Sequence, residues 1–327
     1  MFKKIKSKIH PFTYKWNILI NMDNKISTSF SEFKEIIQPK DRFWADPFVI
    51  YKNQQHHIFF EEALDSKNKG HLSVMIVDNN GNYSKPVKIL ERDYHLSFPS
   101  IFEFENTLYL IHGTIHNSNS YIELFKCEDF PFKWTYDRKL ITNIPLVDTT
   151  MFFYNKKWWI FACKAENDGT SQSNELMLFY SDNPLSKDWN SHPLNPVVSD
   201  ITNARPAGKI FQMNDKIIRP AQNCFQIYGN GFSLNEIIKL NENEYEEKQL
   251  ELFKPDWKNE LKHILKGKGP DIPVTVICDL SSRFIAVTIN SPVLLILHSP
   301  RLPPSNVANT RSSSESMSTA LIVLPCV

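Results

Sequence analysis

The sequence predicts an all-β protein, a five-bladed β-propeller with an irregular C-terminal tail, on three observations. A unit of about fifty residues recurs four times between residues 40 and 250. Each copy breaks into short apolar strands separated by turns rich in Asn and Asp. No long segment carries the 3.6-residue period of an amphipathic helix. Short antiparallel strands at a fixed interval suit four-stranded blades arranged around one axis.

Residues 1–40 read as an N-terminal arm, with an apolar strand at Trp16 to Ile20 and a short helical candidate at Ser31 to Ile37. The propeller follows over 41–265. Its repeat aligns Trp44-Ala45-Asp46-Pro47-Phe48 with Leu96-Ser97-Phe98-Pro99-Ser100, Leu146-Val147-Asp148-Thr149-Thr150 and Asn203-Ala204-Arg205-Pro206-Ala207. The anchors Asp46, Phe98, Asp148 and Arg205 lie 52, 50 and 57 residues apart. About ten residues after each anchor comes a second strand: His56 to Phe60, Thr107 to Ile111, Lys157 to Ala162, and Lys216 to Ile218. The first three units add a third strand at His71 to Val77, Tyr121 to Lys126 and Glu175 to Tyr180. A fifth blade has to come from the chain after Leu250, closed by Trp16 to Ile20. Joining both ends in one blade removes an otherwise open sheet edge.

Residues 266–327 differ in kind. No Lys follows Lys268, and Ser, Pro, Val and Leu dominate. This tail is either a disordered or poorly packed extension, or a non-native end that replaced the natural one, for instance by a frameshift.

Apolar residues make up 42% and charged residues 22%, enough for a core and against wholesale disorder. A net charge of +1 supplies no basic field for nucleic acid. With only 9 Gly, the turns must be built mostly from Asn, Asp, Ser and Pro. Cys127, Cys163, Cys224, Cys278 and Cys326 share no close spacing, so neither a zinc site nor a disulfide framework is expected. A reducing, cytoplasmic location follows as the simpler reading. The basic N-terminus is not followed by an apolar run, which argues against a secretory signal. The longest apolar stretch, Pro292 to Leu297, is far short of the roughly 20 residues of a membrane span. A soluble protein is expected, with a basic arm available to a membrane or a partner.

Asp46 and Asp148 occupy the same place in two repeats, where first strands line a central channel. Either they converge as a carboxylate pair acting on a sugar, or they cap strand ends through Asx turns. Arg205 holds that place in the fourth repeat, and Arg219 lies 14 residues on. Two guanidiniums beside two carboxylates suit a phosphate or carboxylate ligand, or else neutralise the inward acids. Glu61 and Glu62 end a strand, so alternation points one inward and one outward, and the inward one supplies a third acid. Trp44, Trp158 and Trp159 either stack on sugar faces or fill the seams between blades. His56 and His57 face opposite sides of one strand, so no metal site and no cofactor is expected. Gly229-Asn230-Gly231 is too short for a phosphate loop.

Three groups of strings carry a family resemblance. The first joins Phe43-Trp44-Ala45-Asp46-Pro47-Phe48, Ile58-Phe59-Phe60-Glu61-Glu62 and His95-Leu96-Ser97-Phe98-Pro99. The second joins Val147-Asp148-Thr149-Thr150, Trp158-Trp159-Ile160-Phe161 and Glu175 to Ser181. The third joins Ala204-Arg205-Pro206-Ala207-Gly208 with Ile218-Arg219-Pro220-Ala221-Gln222. Together they resemble the N-terminal domain family of glucosamine inositolphosphorylceramide transferases, which also occurs in bacterial proteins linked to surface-polysaccharide genes. More widely they are similar to the five-bladed propellers of arabinanases, xylosidases and fructosidases.

The resemblance implies that Asp46 is a base or nucleophile and that Asp148 orients the sugar and tunes proton affinity. Those glycosidases draw their general acid from a Glu on a later blade, which has no counterpart here. Ile111-His112-Gly113 stands where related domains often carry Pro-Glu. In the plant proteins transfer chemistry belongs to a separate downstream domain, which implies a partner glycosyltransferase for this chain. The expected site has Asp46, Asp148 and Glu61 as catalytic groups and Trp44, Arg205, Arg219 and Gln222 holding a sugar or sugar phosphate. Hydrolysis or transfer in glycan biosynthesis is the first expectation, and a non-catalytic sugar-binding or scaffolding module is the alternative.

Overall fold

The computed structural model describes residues 13–22, 33–67, 69–112, 121–164, 172–213, 215–225, 228, 231–253, 274–279 and 284–293. They fall in one compact unit that ends at Val293, and Gly229-Asn230 and 294–327 lie outside them. Every regular element among the described residues is a strand.

After β1 (Thr13–Asn21) and β2 (Lys34–Glu35), four sheets follow the sequence repeat. The first comprises β3 (Arg42–Lys52), β4 (Gln55–Leu64), β5 (Lys69–Val77) and β6 (Val87–Leu90). The second comprises β7 (Ser100–Phe104), β8 (Thr107–Ile111), β9 (Tyr121–Asp129) and β10 (Lys133–Thr142). The third holds β11 (Leu146–Tyr154), β12 (Lys157–Lys164), β13 (Glu175–Ser181) and β14 (Asn190–Ser191), with β15 (Val198–Ser199) also on β13. The fourth holds β16 (Phe211–Met213), β17 (Lys216–Gln222), β18 (Phe232–Leu240) and β19 (Tyr245–Phe253). Strands pair antiparallel in chain order within each sheet, and first strands touch those of the next sheet, β3 against β7 and β7 against β11. This is a β-propeller.

The hairpins joining first to second strands explain how the chain manages with so few glycines. Asn53-Gln54, Glu105-Asn106 and Asn155-Lys156 all take left-handed φ between 48° and 62°, and Asp215 does so in the fourth sheet. Such two-residue turns match the twist of the strands they join, and Asn and Asp tolerate that conformation better than most residues.

Each seam between neighbouring sheets holds its own apolar core. Phe48, Phe59, Leu72 and Phe125 fill the first seam, Ile111, Leu124, Trp158 and Ile160 the second, and Trp159, Phe161, Leu178 and Ile217 the third. Burying one such side chain stabilises the fold by about 1.5–3 kcal/mol. A further core joins Ile18, Ile20 and Ile36 to Trp44, Ile58, Phe60 and Met75.

That core corrects the helical expectation at Ser31 to Ile37. Lys34 and Glu35 pair with Ile20 and Leu19, and the Ile36 N–H donates to the Ile18 carbonyl at 2.9 Å. Residues 31 and 32 lie outside the described set. An open edge on β1 recruits this segment more strongly than one turn of isolated helix could hold it.

The other edge of β1 is taken by the far end of the chain. β20 (Val274–Asp279) and β21 (Phe284–Val293) complete a sheet ordered β2-β1-β21-β20, with β1 in register with β21 from Thr13 opposite Val293 to Asn21 opposite Ile285. Two described strands therefore lie past residue 265, where composition suggested an irregular tail. Ladder pairing between distant ends is invisible to local composition.

Candidate functional site

The repeat anchors share one backbone device. Asp46, Phe98 and Asp148 take φ values of 49°, 48° and 51°. In β3 and β11 the ladder slips at that point, between Ala45 and Phe48 and between Val147 and Thr150. A left-handed residue other than Gly costs of order 1–3 kcal/mol, so the chain bears the same strain in three repeats. The slip reverses the strand's alternation and turns Asp46 and Asp148 towards the funnel. The fourth repeat differs. Arg205 is held beside Gln222, whose N–H donates to its carbonyl at 2.7 Å, and the left-handed turn falls at Gly208 with φ 144°.

The first, third and fourth sheets and the loops beside them send side chains to one spot. The Asp148 carboxylate accepts from Arg205 Nε at 2.5 Å and from Gln222 Nε2 at 3.2 Å. Arg205 is fixed further through Nη1, which donates to the Gln172 carbonyl and the Ser173 hydroxyl at 3.3 Å each. Its guanidinium lies 4.8 Å from the ring of Tyr228, which Trp16 meets edge-on at 6.0 Å. Across from them the Asp46 carboxyl accepts the Phe98 N–H and is hydrogen-bonded to the Glu61 carboxyl. Glu61 Oε1 lies 3.3 Å from His95 Nε2, and His95 Nδ1 accepts the Gly70 N–H at 2.9 Å.

The charges follow from burial. Burial, and then the nearby Asp148 charge, push Asp46 up to about 7, against the pull of Arg205, the Phe98 N–H and Glu61. Glu61 is raised well above the ordinary carboxylate range by burial, then by Asp46 and Asp148. Burial also raises Asp148, with the Arg205 and Gln222 contacts working against it. Two touching carboxyls cannot both ionise readily, so the Asp46–Glu61 pair keeps a proton at neutral pH.

Asp46, Asp148, Glu61, Arg205 and Gln222 thus come together, and two expected site residues do not. Arg219 is 1% exposed and turned away, its Nε and Nη2 donating to Glu247 at 2.7 and 2.6 Å. Arg219 and Gln222 are three apart on β17 and so face opposite sides of it. Trp44 is 2% exposed in the core against β1, with its indole N–H on Glu62 at 3.1 Å. Trp44 precedes the bulge, so it keeps the face opposite to that of Asp46. Trp158 and Trp159 also fill seams rather than the funnel. The pair of guanidiniums expected for a phosphate is therefore reduced to Arg205, already engaged by Asp148.

Glu62 takes the outward face, bound by Arg42, Trp44, His71 and Ser73 at 2.7–3.2 Å. Burial pushes its carboxyl up, but these bonds outweigh that push and hold it well below its usual range. Gly70, His95 and Tyr228 escaped the sequence reading. His95 stood three residues before the Phe98 anchor, the one signal that could have found it. No group of His, Cys, Asp and Glu among the described residues is arranged to hold a metal ion.

Residues 22–268 match the family model described as "Glucosamine inositolphosphorylceramide transferase 1, N-terminal". The chain belongs to this family. Glucosamine inositolphosphorylceramide transferase 1 of Oryza sativa subsp. japonica is 32% identical to it over 208 residues, 63% of this chain and 27% of that protein. The protein of the same name from Arabidopsis thaliana is 27% identical over the same length. The chain thus spans about a quarter of these relatives, 27% of their length, within what the family model calls an N-terminal region. Among solved structures, Zg3597, a family 117 glycoside hydrolase of Zobellia galactanivorans, superposes with a TM-score of 0.54 at 11% identity, over 88% of this chain and 93% of that one. RS223 β-xylosidase superposes at 0.52 and 12% identity over 66% of this chain and 79% of its own. At such identities the likeness establishes that this family member has the propeller fold and nothing further.

Proposed function

We propose that the chain is a five-bladed propeller over residues 13–293 that holds a sugar in its funnel and serves glycan or surface-polysaccharide assembly. The blade count is supported by five hydrogen-bonded sheets among the described residues, the last built from both ends of the chain. One observation carries the functional reading. Asp46 and Asp148 stand at equivalent left-handed bulges of two repeats and share a funnel with Arg205 and Gln222. Burying carboxylates together costs free energy that a stability role does not return, which is the signature of a site. The relatives' name, a glucosamine inositolphosphorylceramide transferase, supports a carbohydrate ligand. With three carboxyl groups facing one engaged guanidinium, the funnel suits a neutral sugar better than a sugar phosphate.

In this reading Asp46 is the acting group, because a base whose pKa lies near 7 is matched to proton transfer at neutral pH. It takes the proton of a hydroxyl, from a sugar or from water, while Asp148 and Gln222 orient the ring and a partner glycosyltransferase acts on the same glycan. A non-catalytic binding role is favoured by one specific observation. Glu61 is engaged with Asp46 and Asp148 with Arg205, which leaves neither carboxyl free to protonate a leaving group. Free thiols at Cys127, Cys163 and Cys224 support a reducing compartment.

Calorimetric titration with a panel of neutral monosaccharides and disaccharides tests the reading, alongside an assay for released reducing sugar. Asp46→Asn is expected to weaken binding by about 1–3 kcal/mol. If the funnel is catalytic, the same change lowers turnover by at least about 10²-fold. A wild-type chain that binds none of these sugars overturns the reading.

A further inference from the structure

Glu61 lies where a third acid is expected, yet its surroundings fit a different task. It is 5% exposed, and both ends of its carboxyl are occupied. One side meets Asp46, and Oε1 faces His95 Nε2 at 3.3 Å. The Gly70 N–H donates to His95 Nδ1 at 2.9 Å, so that nitrogen is the acceptor and Nε2 carries the ring proton. Nε2–H then donates to Glu61 Oε1, and the hydrogen bond between the Glu61 and Asp46 carboxyls requires one proton between them; with Oε1 taken as an acceptor, Glu61 can donate to Asp46 only from its other oxygen.

We propose that Glu61 is a permanently protonated positioning residue, whose hydroxyl is aimed at the Asp46 carboxylate by a one-way chain of donors running from Gly70 through His95. Hydrogen bonds that run in one direction polarise one another, so the chain strengthens the last donor. Asp46 then receives two donors, the Glu61 hydroxyl and the Phe98 N–H, and keeps its remaining lone pairs for the funnel. Close approach is built into the backbone. A Cβ on residue 70 would lie 2.8 Å from Glu61 Oε1, 2.9 Å from His95 Cε1 and 2.7 Å from the Leu96 carbonyl, so only Gly fits.

The charged groups around this chain agree with it. Asp46 and Asp148 both raise Glu61, and the Arg205 guanidinium is turned to Asp148. The His95 ring is half exposed, yet desolvation on its inner side, with His112 beyond, holds it below its usual range and favours the neutral form. The consequence for a ligand rests on Asp46 being the group that meets the sugar, but the protonation pattern itself does not depend on that reading.

Carbon-13 NMR of the full chain labelled at Asp and Glu carboxyls, with nitrogen-15 signals of His95, tests the proposal. In wild type the Glu61 resonance is expected to stay in the protonated range from about pH 5 to about pH 8, while Asp46 titrates and His95 shows the Nε2–H tautomer. Glu61→Gln keeps a neutral donor and a carbonyl acceptor in the same places. It should leave the Asp46 midpoint within about half a pH unit. His95→Ala releases the Glu61 hydroxyl and should raise the Asp46 midpoint. Three results overturn the proposal: a Glu61 carboxyl that ionises in that window, a His95 proton on Nδ1, or a Glu61→Gln variant whose Asp46 midpoint falls by more than about one unit, as loss of a neighbouring negative charge requires. These readouts need no ligand and no variant beyond the wild type for the first two. Failure of the sugar titrations would therefore leave this result intact, and the reverse also holds.

Discussion

Replacing Asp46 with Asn removes a charge that the fold resists, so the variant is expected to be more stable than wild type above neutral pH. The Asp46 carboxyl is pushed up to about 7 from its ordinary 3.8. Between those values the folded chain holds a proton that the unfolded chain has released. Its stability contribution is present below about pH 4 and is lost as pH rises through about 7. Roughly three pH units at about 1.4 kcal/mol each set an upper bound of about 4 kcal/mol. Asp46 is only partly shielded from solvent, so about 2–3 kcal/mol is the expected gain of Asp46→Asn at pH 8, shrinking towards zero at pH 4. The backbone helps, since Asn adopts the left-handed conformation at φ 49° at least as readily as Asp. Urea denaturation of both proteins at pH 4, 6 and 8 measures the difference. An Asp46→Asn chain that is less stable at pH 8, or whose difference from wild type does not change with pH, refutes the assignment of a strained, proton-holding carboxyl.

Three other changes probe the architecture. Gly70→Ala places a methyl 2.7 Å from the Leu96 carbonyl and should cost about 1–3 kcal/mol in urea midpoint analysis, while breaking the contact between Gly70 and His95. Arg219→Ala leaves the Glu247 carboxylate buried without its counter-charge, held only by Asn203 and Tyr245, so a loss of about 3 kcal/mol is expected, with sugar binding by the remaining folded protein unchanged. Truncation after Pro270 removes β20 and β21 and exposes the edge of β1, so thermal unfolding should fall sharply, whereas an unchanged midpoint would mean that the sheet closes without them.

What the sequence determined by itself is local. The fifty-residue repeat, the strands in each unit and the Asn- and Asp-rich turns follow from alternation and turn chemistry, which depend on neighbours in the chain. The matched positions of Asp46, Phe98 and Asp148 were legible for the same reason, because one backbone device recurs in each copy. Which way a side chain faces is not local. A bulge shifts the count by one register and reverses every face beyond it, so Trp44 went to the core and Asp46 to the funnel although both sit two apart on β3. Arg219 and Gln222 were likewise adjacent in the reading, but only β18 and β19, which bring Glu247 beneath the strand, decided that Arg219 is buried structure. The pairing of β1 with β21 joins residues some 270 positions apart, and no short-range pattern encodes that contact. Neither does any pattern encode the surroundings of Glu61, whose buried carboxyl meets His95 and Asp46 from separate segments, with Gly70 behind His95.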